Sequence, residues 1–141
     1  MITYRTGNAL DLDQVIGLYR ASTLGERRPV DDRDRMAKML LNANLVVTAW
    51  DGDLMVGIAR SVSDFVYCTY LSDLAVRESH QRRGIGKELV ERTRTVGGSA
   101  TVILLSVPKA VGYYPRIGFE PHPSAWTLPA RNPGVGDGGR G

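Results

Sequence analysis

Six consecutive residues, Gln81-Arg82-Arg83-Gly84-Ile85-Gly86, have the types and spacing to hold an anion. They follow an apolar, β-rich run from Tyr67 to Val76 and precede a helical pattern from Lys87 to Val96. A strand, a glycine-bearing turn and a helix N-terminus leave backbone N–H groups free to point outward. The helix dipole adds about half a positive charge at that end. Arg82, Arg83 and Lys87 crowd the same turn with side-chain cations. The chemistry favoured is capture of a phosphate or pyrophosphate.

Two common phosphate motifs do not fit. The P-loop requires Gly-x-x-x-x-Gly-Lys-Ser/Thr, and no stretch of the chain matches it. The dinucleotide fingerprint requires Gly-x-Gly-x-x-Gly. In Gly84-Ile85-Gly86-Lys87-Glu88-Leu89 a leucine stands at the third glycine, and too little chain follows for a full dinucleotide fold.

The segment resembles instead the signature Gln/Arg-x-x-Gly-x-Gly/Ala of the GNAT superfamily of N-acetyltransferases, and it matches at every fixed position. Asp73-Leu74-Ala75-Val76 is similar to the end of that family's fourth strand. Downstream, Tyr113-Tyr114-Pro115-Arg116-Ile117-Gly118-Phe119 resembles its Phe/Tyr-Tyr-x-x-x-Gly-Phe element. The resemblance covers about residues 2 to 128. It implies acetyl-CoA as co-substrate. The motif residues Gln81, Arg82, Arg83, Gly84, Ile85, Gly86 and Lys87 would hold the pyrophosphate, largely through backbone amides. Leu74, Ala75 and Val76 would carry the pantetheine arm like an added strand. One departure is visible: where many members have an asparagine after the fifth strand, this chain has Ser106-Val107-Pro108-Lys109-Ala110.

Acetyl transfer from a thioester to an amine poses two proton problems. A lysine-like amine has a pKa near 10.4 and must lose a proton to attack. The departing thiolate, with a parent pKa near 8.5, must be stabilised or protonated. The resemblance assigns the second task to Tyr114, four residues before Gly118. Tyr113 is the alternative, at a position often filled by phenylalanine. Asp73 is the candidate base or amine anchor, and a structural hydrogen-bonding aspartate is an equal reading of it. A carboxylate with a pKa near 3.9 is a poor base for an ammonium unless burial raises it. Glu78 reads as solvated. Cys68, a lone strand cysteine without a His/Asn arrangement, reads as core. His80 and His122 read as surface or turn residues, and no Cys/His spacing suggests a metal.

The elements that must position these groups follow from periodicity and turn residues. Ile2–Arg5 reads as a strand. A helix capped by Asn8 or Asp11 carries Leu12, Val15, Ile16 and Tyr19 on one stripe. Gly25–Val30 is a polar break and Asp31–Leu41 a second helix. Leu45–Trp50 and Leu54–Val62 form a hairpin around Asp51-Gly52-Asp53. The strand to Val76, the turn, and the helix ended by Gly97-Gly98 follow. Thr101–Val107 reads as a buried strand, 108–117 holds a short helix, and Phe119–Leu128 reads as a final strand. The order β-α-α-β-β-β-α-β-α-β predicts a mixed α/β sheet with helices on both faces. Residues 1–128 form one domain, and the Gly/Pro-rich residues 129–141 read as a disordered tail.

Composition sets the outer bounds. The 141 residues, 43% hydrophobic and 23% charged, suit one globular domain. No apolar run approaches the roughly 20 residues of a membrane helix, no signal-peptide core is evident, and one cysteine cannot form an internal disulfide, so the expected setting is the cytoplasm. A net charge of +3 without a block of like charges, and no aromatic-basic stacking motif, argues against nucleic acid. The expected partners are acetyl-CoA and a primary amine on a small molecule or protein, with the chain a monomer or homodimer. Glu26, Asp31, Asp32 and Asp34 either attract a cationic acceptor or serve as helix-start charges. The alternative function is a catalytically inactive module that binds acetyl-CoA or a protein.

Overall fold

The computed structural model describes residues 1–131. The expected disordered tail lies outside the described residues from position 132 onward. The elements are β1 (Ile2–Thr6), α1 (Leu12–Arg20), α2 (Arg33–Leu41), β2 (Leu45–Asp51), β3 (Leu54–Ser63), β4 (Cys68–Val76), α3 (Ile85–Val96), β5 (Thr101–Ile103) and α4 (Tyr113–Arg116). Short 3-10 turns cover Thr23–Arg27, Glu78–His80 and Pro108–Ala110. The strands lie in the order β1-β2-β3-β4-β5; the first four are antiparallel, and β4 and β5 are parallel. The parallel pair needs a crossover, which α3 supplies. This is the expected mixed α/β sheet.

The helices start where their caps stand. Asp11 accepts from the Asp13 N–H at 3.0 Å and opens α1, which buries Val15, Ile16, Leu18 and Tyr19. Asn8, the other expected cap, donates instead to the carbonyls of Leu40, Leu41 and Ala43 at the end of α2. Asp32 caps α2 through the Arg35 N–H at 3.1 Å, so α2 begins beyond Asp31. Helices α1 and α2 cover one sheet face with Val46, Trp50, Ile58 and Ala75. Helix α3 covers the other with Val47, Ala49, Val56 and Leu71. It packs closely because β3 carries Gly57, where a Cβ would come within 3.0 Å of Leu89 Cδ1 and 3.1 Å of Ile85 Cγ2.

Two expectations fail at the C-terminal end. The apolar run Thr101–Val107 is not a buried strand: only Thr101–Ile103 pair, and Thr101 and Ile103 are exposed. Pairing with β4 ends at Ile103, Leu105 is exposed as well, and Pro108 has no N–H with which to continue a ladder. The segment Phe119–Leu128 forms no strand, and Trp126 is 91% exposed. Pro121 and Pro123 interrupt its donors.

Two irregularities in β4 shape the region of interest. Arg60 pairs with Asp73 but Ser61 pairs with Leu71, so Ser72 is an extra, bulged residue. Pairing with β5 stops at Tyr70–Ile103. From Leu71 to Val76 the strand therefore has a ladder partner on one side only, β3.

Candidate active site

The glycine turn is tied to the fold at two points. Gly84, the residue that opens α3, has φ +79°, a left-handed conformation natural to glycine. Arg82 has φ +64°, which side-chain-bearing residues rarely adopt. The Gln81 side-chain amide donates to the Val76 carbonyl at 3.0 Å and ties the turn to the end of β4. Ahead of it, His80 bonds Asp51 at 2.9 Å and Ser79 at 2.7 Å, anchoring the turn to the β2–β3 hairpin. The His80 contact is the main reason the Asp51 carboxyl sits below its ordinary range.

The cradle itself is open. No side chain caps α3, so the N–H groups of Ile85, Gly86 and Lys87 have no side-chain acceptor. Arg82, Arg83 and Lys87 are exposed and form no ion pair among the described residues. Nothing would meet a Cβ on Gly84 within 4 Å, so the turn is open at that residue. The arrangement, with free backbone donors and three side-chain cations, fits an anion. Gln81 stands apart from the rest of the motif, because its amide is engaged by Val76. Leu74 and Val76 lie on the α3 face of β4 and are partly buried, whereas Ala75 is turned into the opposite core.

The second sequence element meets the first in space. A methyl on Gly86 would come within 2.5 Å of Tyr113 Oη, so α4 lies over the first turn of α3. Tyr113 and Tyr114 pack edge to face at 5.3 Å, and Tyr114 packs likewise on Phe119 at 5.4 Å. Both tyrosines are half-buried. Burial raises the Tyr114 phenol above its ordinary value; neighbouring Tyr113 adds to this and Arg27 opposes it. Burial raises Tyr113 as well. A phenol held protonated is a hydrogen-bond donor at neutral pH.

Asp73 is not placed as a base. It faces α1, and its carboxylate is fully buried. Oδ2 accepts from Tyr19 Oη at 2.6 Å and from Arg60 Nε at 2.6 Å; Oδ1 accepts from Arg28 Nε at 2.7 Å. Burial alone would raise its pKa, but Arg60, Arg28 and Tyr19 outweigh it and the carboxyl lies below its ordinary value. A fully engaged, more acidic carboxylate cannot collect a proton from an ammonium. The structural reading of Asp73 replaces the catalytic one. Its partners Tyr19, Arg28 and Arg60 went unread in the sequence; the one available signal was Arg60, a lone arginine inside the apolar strand Leu54–Val62.

Other candidates fall outside the constellation. Cys68 is exposed at the first position of β4 and not in the core. Ser106 is exposed. Of the four acids between Glu26 and Asp34, Asp31 pairs with Arg20 at 2.7 Å and Asp32 caps α2, which leaves Glu26 and Asp34. A cavity of about 310 Å³ lies at the β1 edge, walled by Arg5 stacked on Trp50, and contains none of these residues.

A mixed sheet whose parallel fifth strand leaves most of β4 uncovered, next to a cationic uncapped helix start, defines an α/β protein with a cradle suited to an anion. Comparison with known proteins names the group. The family model described as "Acetyltransferase (GNAT) domain" matches residues 23–126, well over half the chain. The chain belongs to the GNAT acetyltransferase family. It is 30% identical over 122 residues to "GCN5-related N-acetyltransferase 1, chloroplastic" of Arabidopsis thaliana, covering 84% of this chain and 61% of that protein. It is 30% identical over 131 residues to an uncharacterized ycf52-like N-acetyltransferase of Prochlorococcus marinus, covering 88% and 65%. The chain thus spans less than two thirds of the length of these relatives. Among solved structures, a GNAT-family acetyltransferase of Streptococcus pneumoniae superposes with a TM-score of 0.77 at 29% identity, covering 93% of this chain and 99% of that one. The aminoglycoside N-acetyltransferase AAC(6′)-Iy, solved with CoA, shares the fold with a TM-score of 0.72 at 18% identity, covering 93% and 95%. Among the described residues no helix is long and apolar enough to cross a membrane.

Proposed function

We propose that residues 1–128 form one acetyltransferase domain that moves the acetyl group of acetyl-CoA to a primary amine of a small molecule or a protein. The observation that carries this reading is the meeting of two separate sequence elements. The open cradle of Arg82–Lys87 and the Tyr113–Phe119 element touch at Gly86 and Tyr113. Acetyl-CoA supplies the activated acetyl group as a thioester. The residues around it do the rest. Backbone N–H groups of the α3 start bind the pyrophosphate, and Arg82, Arg83 and Lys87 add charge. The side of β4 left without a strand from Leu71 to Val76 offers main-chain groups to the pantetheine amides. Tyr114 Oη donates a hydrogen bond to the departing sulfur. The exposed, single Cys68 suits the reducing cytoplasm.

The test has two parts. Calorimetry and thermal melts with millimolar acetyl-CoA report donor binding, and ligand excess raises the melting temperature of a true binder. Thiol release from acetyl-CoA, scored over amines, polyamines, aminoglycosides and peptides, reports transfer. Absence of heat and of any melting shift would remove the donor. Binding without thiol release on any acceptor would favour the inactive module.

A further inference from the structure

Two successive arginines leave the turn after α1 with different surroundings. Arg27 is half-buried and has no ion-pair partner among the described residues. Arg28 is nearly spent. Its Nε donates to Asp73 Oδ1 at 2.7 Å, its Nη2 to the Ser72 carbonyl at 3.0 Å, and its Nη1 to the Arg27 carbonyl at 2.8 Å. One planar guanidinium therefore joins the backbone of the α1–α2 loop, a buried carboxylate and the carbonyl of the bulged residue in β4. No other side-chain hydrogen bond among the described residues links residues 21–32 to β4.

The core does not depend on this link in the same way. Without Arg28, Asp73 keeps Arg60 Nε and Tyr19 Oη. Arg60 is further held by the Met39 carbonyl at 3.1 Å and Ser72 Oγ at 3.1 Å. The charge at the sheet centre stays compensated, and what is lost is the loop's hold on the strand. A surface loop without such a hold opens locally at low free energy.

We propose that Arg28 is a positioning residue for the acceptor. It locks the α1–α2 loop to the β4 bulge, and that loop carries Arg27 beside Tyr114, so that an amine entering between loop and strand meets the group held along the strand. This rests on the acetyl-transfer reading above. A small displacement of one reactant relative to the other costs rate steeply, which is why a lock between the two binding segments matters. Lysine cannot replace it fully, because a point charge cannot reach three acceptors in a planar fork.

The experiment compares wild type, Arg28→Met and Arg28→Lys by three readouts. These are calorimetric acetyl-CoA affinity, amide hydrogen exchange, and steady-state thiol release with neamine and with an unblocked peptide as acceptors. The lock predicts acetyl-CoA affinity within about threefold of wild type. Exchange over residues 21–32 speeds by about tenfold or more in Arg28→Met while α3 is unchanged. The acceptor kcat falls about tenfold or more while KM changes less, and Arg28→Lys lies between. Unchanged loop exchange would overturn the proposal, as would equal acceleration across the loop and α3, which marks a merely structural residue. Should wild type fail to bind acetyl-CoA or use either acceptor, the transfer reading fails, and loop exchange still decides the lock.

Discussion

Replacing Asp73 with asparagine keeps the side-chain volume and removes one buried charge. The consequence follows from its partners. Arg28 and Arg60 each have side chains 10% exposed, and each has Asp73 as its ion-pair partner among the described residues. Asparagine leaves both guanidinium groups without a countercharge and turns its own amide hydrogens toward donors. Breaking a buried pair in this way costs about 3–5 kcal/mol. At about 3 °C per kcal/mol for a chain of this size, the midpoint of a circular-dichroism melt at pH 7 should fall about 10–15 °C. The pH dependence has a definite sign. Although burial pushes the Asp73 carboxyl up, its donors hold it below its ordinary value of 3.8. A group with a lowered folded pKa contributes stability that is full above its unfolded pKa and lost as pH falls through the folded one. The gap between wild type and Asp73→Asn should therefore be constant near neutrality and close only below about pH 4. A shift under about 3 °C at pH 7 would refute the network argument, as would a gap that persists undiminished in acid. A catalytic base predicts a different pattern: lost turnover with a nearly unchanged melt.

Four further outcomes test the site and the helix that carries it. Gly84→Asp adds a side chain at φ +79° and a negative charge in front of the α3 start, and should abolish acetyl-CoA binding measured by calorimetry while the far-ultraviolet spectrum is retained. Tyr114→Phe should lower turnover about 10²–10⁴-fold with little change in acetyl-CoA affinity, measured by thiol release. Because the Tyr114 phenol is raised above its ordinary value of 10.0, the wild-type rate should show no alkaline fall below about pH 10. Gly57→Ala sets a Cβ 3.0 Å from Leu89 Cδ1, 3.1 Å from Ile85 Cγ2 and 3.3 Å from Ala49 Cβ, and should cost about 1–3 kcal/mol in a urea titration, since these packed side chains must give way together.

What could be read from the chain is what local rules determine. The glycine turn, the Asp51–Asp53 hairpin and the α1 stripe depend on neighbours a few residues away, and each stands close to where periodicity puts it. The bulge at Ser72 is different. It is a mismatch between two strands, and neither strand records it alone. Asp73 is a similar case: the sequence leaves a base and a structural aspartate equally open. Its partners lie 13, 45 and 54 residues away, so its environment is a product of the fold. The short β5 adds a third case: the apolar run Thr101–Val107 signals a buried strand, yet only Thr101–Ile103 pair, and Ile103 and Leu105 stay exposed.

Removing Asp73 from the chemistry changes what is asked of Tyr114. An ordinary phenol is already a weaker acid than a thiol by about 1.5 units, or roughly 2 kcal/mol. Burial in the Tyr113–Phe119 cluster raises Tyr114 further, so complete proton transfer to a thiolate becomes less favourable. Donation of a hydrogen bond does not carry that penalty, and it grows stronger as negative charge gathers on the sulfur. The same burial that weakens Tyr114 as an acid keeps it protonated and fixes its ring between two aromatic neighbours. The proton on the amine must then leave by another route, by solvent or by arrival of the acceptor in its neutral form. Control of the reaction shifts toward how long and how accurately the acceptor is held, which is the task assigned to the loop that Arg28 ties to β4.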